Sequence, residues 1–469
     1  MVRGASPESD RRDVRAASSQ PLAPLLAVCA GYFMVILDVT VINVAVPVVG
    51  RELSASLTGI QWITDGYTLV FAGLLLTAGA LGDRLGNRRI FCIGVVVFIV
   101  ASAGCGLAQS TESLAATRLL EGLGAALIVP GSLALLQQSY PSPADRSRAF
   151  GLWGSMAGIA ASAGPLIGGL LVTTVGWRWV FFINVPVGLA CLLLTLRHVD
   201  ASARRFDRPV DWPGQCALIA MVALLIAVLN EAGRRGWADP LILVGAGLGV
   251  LAAAAFVVRE RLARTPVLPL WLLRSRQLGG AATIGLLFNF AFYGMIFTAS
   301  LYFQQERGLS ALRTGLALFP AVAMTMFASV LSGRLAGRTG NRPLVVTGML
   351  LGAAGLAGWA AAGPNPDYVL LVAPMVAVGF GTSFALTGAT TTVMAAAPDS
   401  FSGTASGLFN TTRQIGSAVG VALGGSLLAG NASFGTGVQT SMAIGAVAYL
   451  MAAALALFCI PQPASRVVA

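Results

Sequence analysis

The chain has 469 residues, of which 56% are hydrophobic and only 10% are charged, and its formal net charge is +11. Because an ordinary soluble domain carries about 25% charged residues, this composition excludes a chain built mainly of soluble domains. Apolar runs of about 20 residues, the length that crosses a bilayer as a helix, recur along the whole sequence. We therefore expect an all-α integral membrane protein.

The predicted elements are 14 transmembrane helices. In chain order they are expected near residues 23–47, 58–81, 90–109, 113–138, 147–173, 178–196, 212–231, 240–258, 278–305, 313–336, 344–362, 368–395, 403–429 and 440–460. If the pair at 212–231 and 240–258 does not cross the membrane, 12 spans remain, and both termini still lie on the same side.

The segments around these spans set the expected domain organisation. Residues 1–22 are polar, and the long apolar run after them lacks the short core and cleavage site of a signal peptide, so we expect a disordered cytoplasmic tail. The remaining expected parts are an N-terminal six-helix bundle (23–197), a linker with two extra transmembrane helices (198–276), a C-terminal six-helix bundle (277–461) and a cytoplasmic tail (462–469).

The basic residues alternate along the chain. The sequence contains no lysine, and most arginines lie in every second loop, whereas the loops between them hold few. Because cytoplasmic loops carry the excess of basic residues, this alternation predicts that both termini are cytoplasmic. It also explains the net charge better than a nucleic-acid partner does.

Few residues offer enzymatic chemistry. Without lysine the chain has no Walker A loop, His198 is its one histidine, and its six cysteines form no CxxC pair. We therefore expect no enzyme, no metal site and no cofactor. A sensor is disfavoured because the sequence offers no sizeable soluble domain.

The two halves of the sequence repeat each other at a shift of about 255 residues. The segment GALGDRLGNRR at 79–89 aligns with GRLAGRTGNRP at 333–343, and the glycines of 151–169 align with those of 407–425. Two parallel six-helix repeats around a central substrate site are typical of transporters.

Several motifs resemble the major facilitator superfamily, and more narrowly its 14-span drug:proton antiporter (DHA2) family of the methylenomycin-resistance type. They are LDVTVINVAVP at 37–47, WITDGY at 62–67, GALGDRLGNRR at 79–89, RLLEGLG at 118–124, GPLIGG at 164–169 and NTTRQIG at 410–416. The resemblance implies two pseudo-symmetric six-helix bundles plus two central helices in a bacterial inner membrane. It also implies a functional monomer that exports small molecules.

Two acids are candidates for proton coupling. Asp38 lies in the middle of the first predicted span, where a carboxylate costs about 2.5–3.5 kcal/mol on insertion scales and is a functional candidate by default. The alternative is an acid that only bonds neighbouring groups such as Thr40 or Asn43. Asp65, near Trp62 in the second span, could be a second acid, or an interfacial residue that reaches water.

Arg118 and Glu121 lie one helical turn apart in the fourth span, where they could simply neutralise each other. The resemblance implies that this arginine takes part in proton coupling and changes its acidic partner during transport. We include Glu121 as a second candidate for the same role.

The loop after the second span is expected to act as a gate latch. The resemblance implies that Asp83 pairs with arginine and with a helix end. The simpler alternative is that the arginines only keep this loop inside. In the second copy Gly337 replaces Asp83. The residues of the predicted latch are Gly82, Asp83, Arg84, Gly86, Arg88 and Arg89.

The fifth span carries the antiporter motif of the resemblance, formed by Gly164, Pro165, Gly168 and Gly169. Small residues let helices pack closely in membranes, and the resemblance implies that this contact limits proton leak. Polar and aromatic residues of other spans are candidates for the substrate cavity. They are Asn43, Trp62, Asn289, Tyr293, Asn410 and Arg413.

The function expected from these features is proton-coupled efflux of small amphipathic or cationic drugs or antibiotics, powered by the proton gradient. The expected partners are therefore the small-molecule substrate, protons and the lipid bilayer. The alternative is a proton-coupled symporter or a facilitator of a small metabolite.

Overall fold

The computed structural model describes residues 22–55, 57–201, 211–264, 266, 268, 270–309, 311–430 and 433–462, and these form helices without any strand among them. We number the long helices in chain order. They are α1 Leu22–Glu52, α2 Leu57–Leu85, α3 Asn87–Leu107, α4 Thr111–Ser139, α5 Pro143–Thr174, α6 Asn184–His198, α7 Trp212–Arg235, α8 Pro240–Leu262, α9 Arg276–Leu301, α10 Ala311–Thr339, α11 Asn341–Ala361, α12 Tyr368–Ala396, α13 Ser402–Gly430 and α14 Phe434–Cys459.

Shorter elements complete the described chain. Trp179–Phe182 leads into α6, Leu270–Arg274 precedes α9, the π-helical turn Tyr302–Glu306 continues α9, and the 3₁₀ turn Asp399–Phe401 precedes α13.

Each of the 14 predicted segments falls on one of the numbered helices, so the all-α expectation is confirmed. Of the described helices, 12 are long and apolar enough to cross a membrane, and α7 and α8 are among them. The predicted count of 14 is not confirmed by this criterion, because α5 and α13 are not among these 12 helices. The predicted tails at 1–22 and 462–469 lie almost wholly outside the described residues.

The sequence repeat corresponds to a structural repeat at the α2–α3 and α10–α11 turns. Gly86 separates α2 from α3 with φ 96°, and Gly340 separates α10 from α11 with φ 78°. Only glycine adopts this left-handed backbone without strain. The two aligned loops therefore break their helix pairs in the same way.

The two six-helix halves meet along two seams, each of which joins one helix of the N-terminal half to one helix of the C-terminal half. In the first, α2 packs on α13, and in the second α5 packs on α10. Glycines line both, since Gly79 lies against Gly403, and Gly151 lies against Gly333. A Cβ atom at any of the four would run into the facing backbone, so both seams depend on close backbone approach.

The pair α7–α8 lies outside the two halves. Helix α7 packs on α8 and also on α2 and α13, the helices of the first seam. Asp211 caps the start of α7 by accepting from Gly214 N and also binds Arg259 of α8 at 2.9 Å. The pair is therefore tied together at one end and rests against both halves.

Candidate functional site

Arg118 is the centre of a buried polar cluster inside the N-terminal half. Its Nη1 atom donates to Asp38 Oδ2 at 2.6 Å and to Glu121 Oε2 at 2.7 Å. Its Nε atom donates to the Ile63 carbonyl at 3.1 Å. The three charged side chains are each at most 2% exposed. Residues of α1 and α4 that are 80 positions apart in sequence are thus joined by one guanidinium nitrogen.

Asn184, the first residue of α6, holds the other oxygen of Asp38. Its Nδ2 atom donates to Asp38 Oδ1 at 3.1 Å and to Ser102 Oγ at 2.9 Å. Ser102 in turn donates to the Phe181 carbonyl at 3.1 Å. Both carboxylate oxygens of Asp38 are therefore bonded, and the cluster connects α1 with α3, α4 and α6.

Aromatic rings close the cluster on one side. The Arg118 guanidinium lies 4.3 Å from the centre of the Tyr67 ring and 5.9 Å from that of Phe181. On the other side Cys105 Sγ lies 3.5 Å from Glu121 Oε2. Glu121 Oε1 is buried and has no hydrogen-bond partner. The cluster contains two acids and one base with almost no access to solvent.

The sequence identified the three charged members but missed Asn184, Ser102 and Tyr67. An amide two residues before a proline, inside the mostly apolar segment at 178–196, was a usable signal for Asn184, because polar residues inside membrane spans are rare. Nothing local distinguished Ser102, since single serines are common where membrane helices pack.

The alternative that Asp38 only bonds Thr40 does not describe the structure, in which Thr40 Oγ1 donates to the backbone carbonyls of Leu37 and Ala160, among others. Asn43 lies on α1 and Asp65 on α2, but their side chains are outside the described set. The side chain of Pro165 on α5 is outside it as well.

Asp83 joins the two halves at one end of the bundle. Its carboxylate accepts from Gly403 N at 2.7 Å, from Thr404 N at 2.6 Å and from Thr404 Oγ1 at 2.7 Å. These N–H groups are the free donors at the start of α13, where a negative charge also interacts favourably with the helix dipole. The predicted contact with a helix end is thus present, and it crosses the first seam.

A hydrogen bond of Arg88, another residue of the predicted latch, lies within the N-terminal half. Arg88 Nη2 donates to the Leu196 carbonyl of α6 at 2.5 Å, Arg84 is largely buried and Arg89 is exposed. A Cβ atom at Gly82 would collide with Asn87 Oδ1, so a larger residue at this position would have to displace the Asn87 side chain. Beside the latch lies a cleft of about 480 Å³, lined by residues of both halves that include Asp83, Arg146 and Asp399.

The glycines of the 164–169 motif are not equivalent. A Cβ atom at Gly164 would collide with Thr40 Oγ1, and one at Gly168 would lie 3.1 Å from the Val41 carbonyl. Around Gly169 there is nothing within 4 Å. Close packing of α5 on α1 therefore leaves no room for a Cβ atom at Gly164 and little room at Gly168, and it does not depend on Gly169.

The cavity candidates of the C-terminal half lie together on α9 and α13. Arg413 Nη1 donates to Asn410 Oδ1 at 3.1 Å, and Asn289 Nδ2 donates to the Arg413 carbonyl at 3.0 Å. Tyr293, also on α9, is 42% exposed. Trp62 on α2 is 52% exposed and belongs to the other half.

Comparison with known proteins agrees with this architecture. The Major Facilitator Superfamily profile matches residues 28–421. The Methylenomycin A resistance protein of Streptomyces coelicolor is 36% identical over 461 residues, covering 98% of this chain and 96% of the relative. The protein of the same name from Bacillus subtilis is 37% identical, with 93% and 94% covered.

Two further similarities are informative. The Tetracenomycin C resistance and export protein of Streptomyces glaucescens is 38% identical, covering 87% of this chain and 76% of the relative. The crystal structure of the human organic anion transporter MFSD10 matches with a TM-score of 0.68 at 15% identity, over 92% of this chain and 99% of that one. At this identity the structural match supports the fold alone. By its family profile and these relatives, the chain belongs to the Major Facilitator Superfamily and is a membrane transporter, not an enzyme.

Proposed function

We propose that this protein exports small amphipathic drugs or antibiotics across the bacterial cytoplasmic membrane in exchange for protons. Relatives named for methylenomycin and tetracenomycin resistance support the drug-export part. The proton gradient drives the cycle without a cofactor. One chain supplies both halves, so a monomer is a sufficient transport unit.

The observation that carries proton coupling is that Asp38 and Glu121 share a single nitrogen of Arg118. If both acids were ionised, the cluster would have a charge of −1 where water is almost absent, and a buried unpaired charge is strongly unfavourable. Binding one proton balances the cluster. Releasing that proton requires the cluster to open toward water.

A route from the cluster to the moving parts runs along α1. Thr40, two residues after Asp38, contacts Gly164 of α5, and α5 forms the second seam with α10. If α1 shifts when the bonds of Asp38 change, it would therefore move α5, a helix of the seam between the two halves. The Asp83 bonds to α13 stabilise the conformation in which the first seam is closed.

The membrane topology belongs to the same proposal. We place 14 spans in the bilayer, with α5 and α13 among them, because each packs along helices that meet the span criterion: α5 on α1 and α10, α13 on α2 and α9. At 32 and 29 residues both exceed the about 20 residues that a span needs. The distribution of arginine supports a cytoplasmic location of both termini and of the latch.

The test is transport in everted membrane vesicles energised by a pH gradient, with methylenomycin A and tetracenomycin C as substrates. We expect Asp38→Asn to abolish pH-driven uptake while leaving exchange between labelled and unlabelled substrate, which needs no net proton transfer. The matched control is Asp145→Asn, which removes a partly exposed acid that pairs with Arg148 on its own helix. Uptake by Asp38→Asn at the wild-type rate would contradict the proposal.

The alternative of an importer makes a different prediction for the same vesicles. A symporter would move substrate in the direction of the proton, so a pH gradient that fills vesicles with an antiporter would empty them. The direction of the flux in the wild-type protein therefore separates the two functions.

A further inference from the structure

Arg413 is a positive charge between the two halves that no acid of its own half balances. The acidic residues after Leu262 are Glu306, Asp367 and Asp399, and all three lie in connections between the long helices α9 to α13. Arg413 is the twelfth residue of the 29-residue helix α13, so it lies near the middle of the span.

The hydrogen bonds of Arg413 are incomplete. A guanidinium group has five N–H donors. In the described structure Nη1 donates to the neutral Asn410 Oδ1 at 3.1 Å, whereas Nε is buried and has no partner. A buried donor without an acceptor is unfavourable, and a ligand that supplies the acceptor recovers that energy.

The surroundings of Arg413 come from both halves. Its guanidinium lies 5.7 Å from the centre of the Phe409 ring of α13 and interacts with the hydroxyl of Tyr32 of α1, while Asn289 of α9 donates to the Arg413 carbonyl. Tyr32 stacks on Trp153 of α5 at 3.9 Å between ring centres. A group bound to Arg413 would therefore touch α1, α9 and α13 together, as substrate in a transporter of this architecture does.

Two described acids of the N-terminal half do not serve as the counter-charge for a cation in the same way. Asp38 and Glu121 are already bonded to Arg118 and are almost inaccessible. Among these described side chains, the charge that is offered to a ligand between the halves is thus positive, which reverses the expectation of a cationic cargo.

We propose that Arg413 binds an anionic group of the substrate, so that the preferred cargo is an organic anion such as a carboxylate, an enolate or a phenolate. This rests on the export function proposed above and specifies its substrate class. Arg binds carboxylates through two parallel hydrogen bonds, and Nε together with one Nη atom provides that geometry. A membrane potential that is negative inside favours export of an anion as well as import of a proton.

The experiment is equilibrium binding to the purified full chain in lipid nanodiscs at pH 8, followed by fluorescence anisotropy. Fluorescein and rhodamine 6G serve as probes because they share the xanthene ring system and carry opposite charges. We expect the wild-type protein to bind fluorescein about tenfold or more tightly than rhodamine 6G, as a hydrogen-bonded charge pair implies.

Substitutions of Arg413 test whether this residue is the origin of the preference for the anionic probe. Arg413→Gln should weaken fluorescein binding by about tenfold or more and leave rhodamine 6G binding unchanged or stronger. Arg413→Lys should retain part of the preference because it keeps the charge. The matched control is Arg334→Gln, which removes an exposed arginine of α10 and should change neither affinity.

A wild-type protein without preference for fluorescein would overturn the proposal, and so would an Arg413→Gln protein with undiminished fluorescein binding. If Arg413→Gln does not fold, the wild-type comparison still decides. Binding is measured without a proton gradient, so the outcome is independent of coupling. Selective anion binding by a protein that shows no pH-driven flux would contradict the export function and leave this site assignment standing.

Discussion

Thr40 of α1 and Gly164 of α5 touch where the two helices cross, and Thr40 lies only two residues after Asp38. The contact leaves no room for a Cβ atom on Gly164. The acid at the centre of the polar cluster and the helix that forms the second seam are therefore joined by one close contact between small groups.

The first prediction concerns this contact. Gly164→Ala should place a methyl group against Thr40 Oγ1, force α1 and α5 apart, and destabilise the protein by about 1–3 kcal/mol, as overpacking does. Transport should fall and passive proton leak should rise. Thermal unfolding and a pH-sensitive dye inside vesicles measure the two effects.

The same helix supplies the control for this substitution. Gly169→Ala adds the same methyl group where nothing lies within 4 Å, so stability and leak should stay at wild-type values. Equal effects of the two substitutions would show that the motif is sensitive to alanine because of the helical backbone and not because of the contact with α1.

The second prediction concerns the bond between the halves. Asp83→Asn replaces one acceptor oxygen by an NH2 group, so it should break the hydrogen bonds of that oxygen to the start of α13, weaken the remaining ones and remove a favourable charge–dipole interaction. A hydrogen bond to a charged group contributes about 1.5–3 kcal/mol. The ratio of closed to open protein should therefore fall by about tenfold or more. Spin labels at Gln138 and Arg338, on opposite halves at this end, should report a larger share of long distances. Asp145→Asn is the control, and an unchanged distance distribution in Asp83→Asn would argue against a latch.

The third prediction concerns the proton of the cluster. Glu121→Gln keeps the size of the side chain and an acceptor for Arg118, and it removes one of the two acids, so the remaining pair is neutral without a proton. The infrared band of a protonated carboxyl group should therefore be present in the wild-type protein at neutral pH and absent in this variant. Glu306→Gln, which alters an exposed acid, should retain the band. A band of full intensity in Glu121→Gln would place the proton elsewhere.

The fourth prediction concerns topology. In a protein whose native cysteines are replaced by alanine, cysteine at Ser142 should react with an impermeant maleimide only from the cytoplasmic side, and cysteine at Val175 only from outside. The same test at Ser400 and Ser433 examines α13. Labelling of both ends of either helix from one side would reduce the number of spans.

The helices and the repeat were predictable because they depend on local sequence. Apolar stretches of the length of a bilayer indicate helices wherever they occur, and Gly86 and Gly340 stand at matching positions of the two copies. Hydropathy was less informative for α13, because Arg413 and Gln414 interrupt its apolar sequence.

The site was predictable only in part. Asp38, Arg118 and Glu121 stood out because charges inside membrane spans are rare. Their arrangement around one nitrogen did not, since Asp38 and Arg118 are 80 positions apart, and Asn184 is 146 positions from Asp38. The partner of Asp83 is 320 positions away, and no local pattern specifies which helix end it caps.

The sequence repeat did not produce the same contact between the halves at both seams. The residue that corresponds to Asp83 in the second copy is Gly337, which packs against Ala144 of α5. The first seam is thus held at this end by a charged group, whereas the second seam is held at the same end by contact between small residues. The two sides therefore separate at different free-energy costs. The side held by Gly337 and Ala144 should open first, and the halves should then rotate about the side held by Asp83.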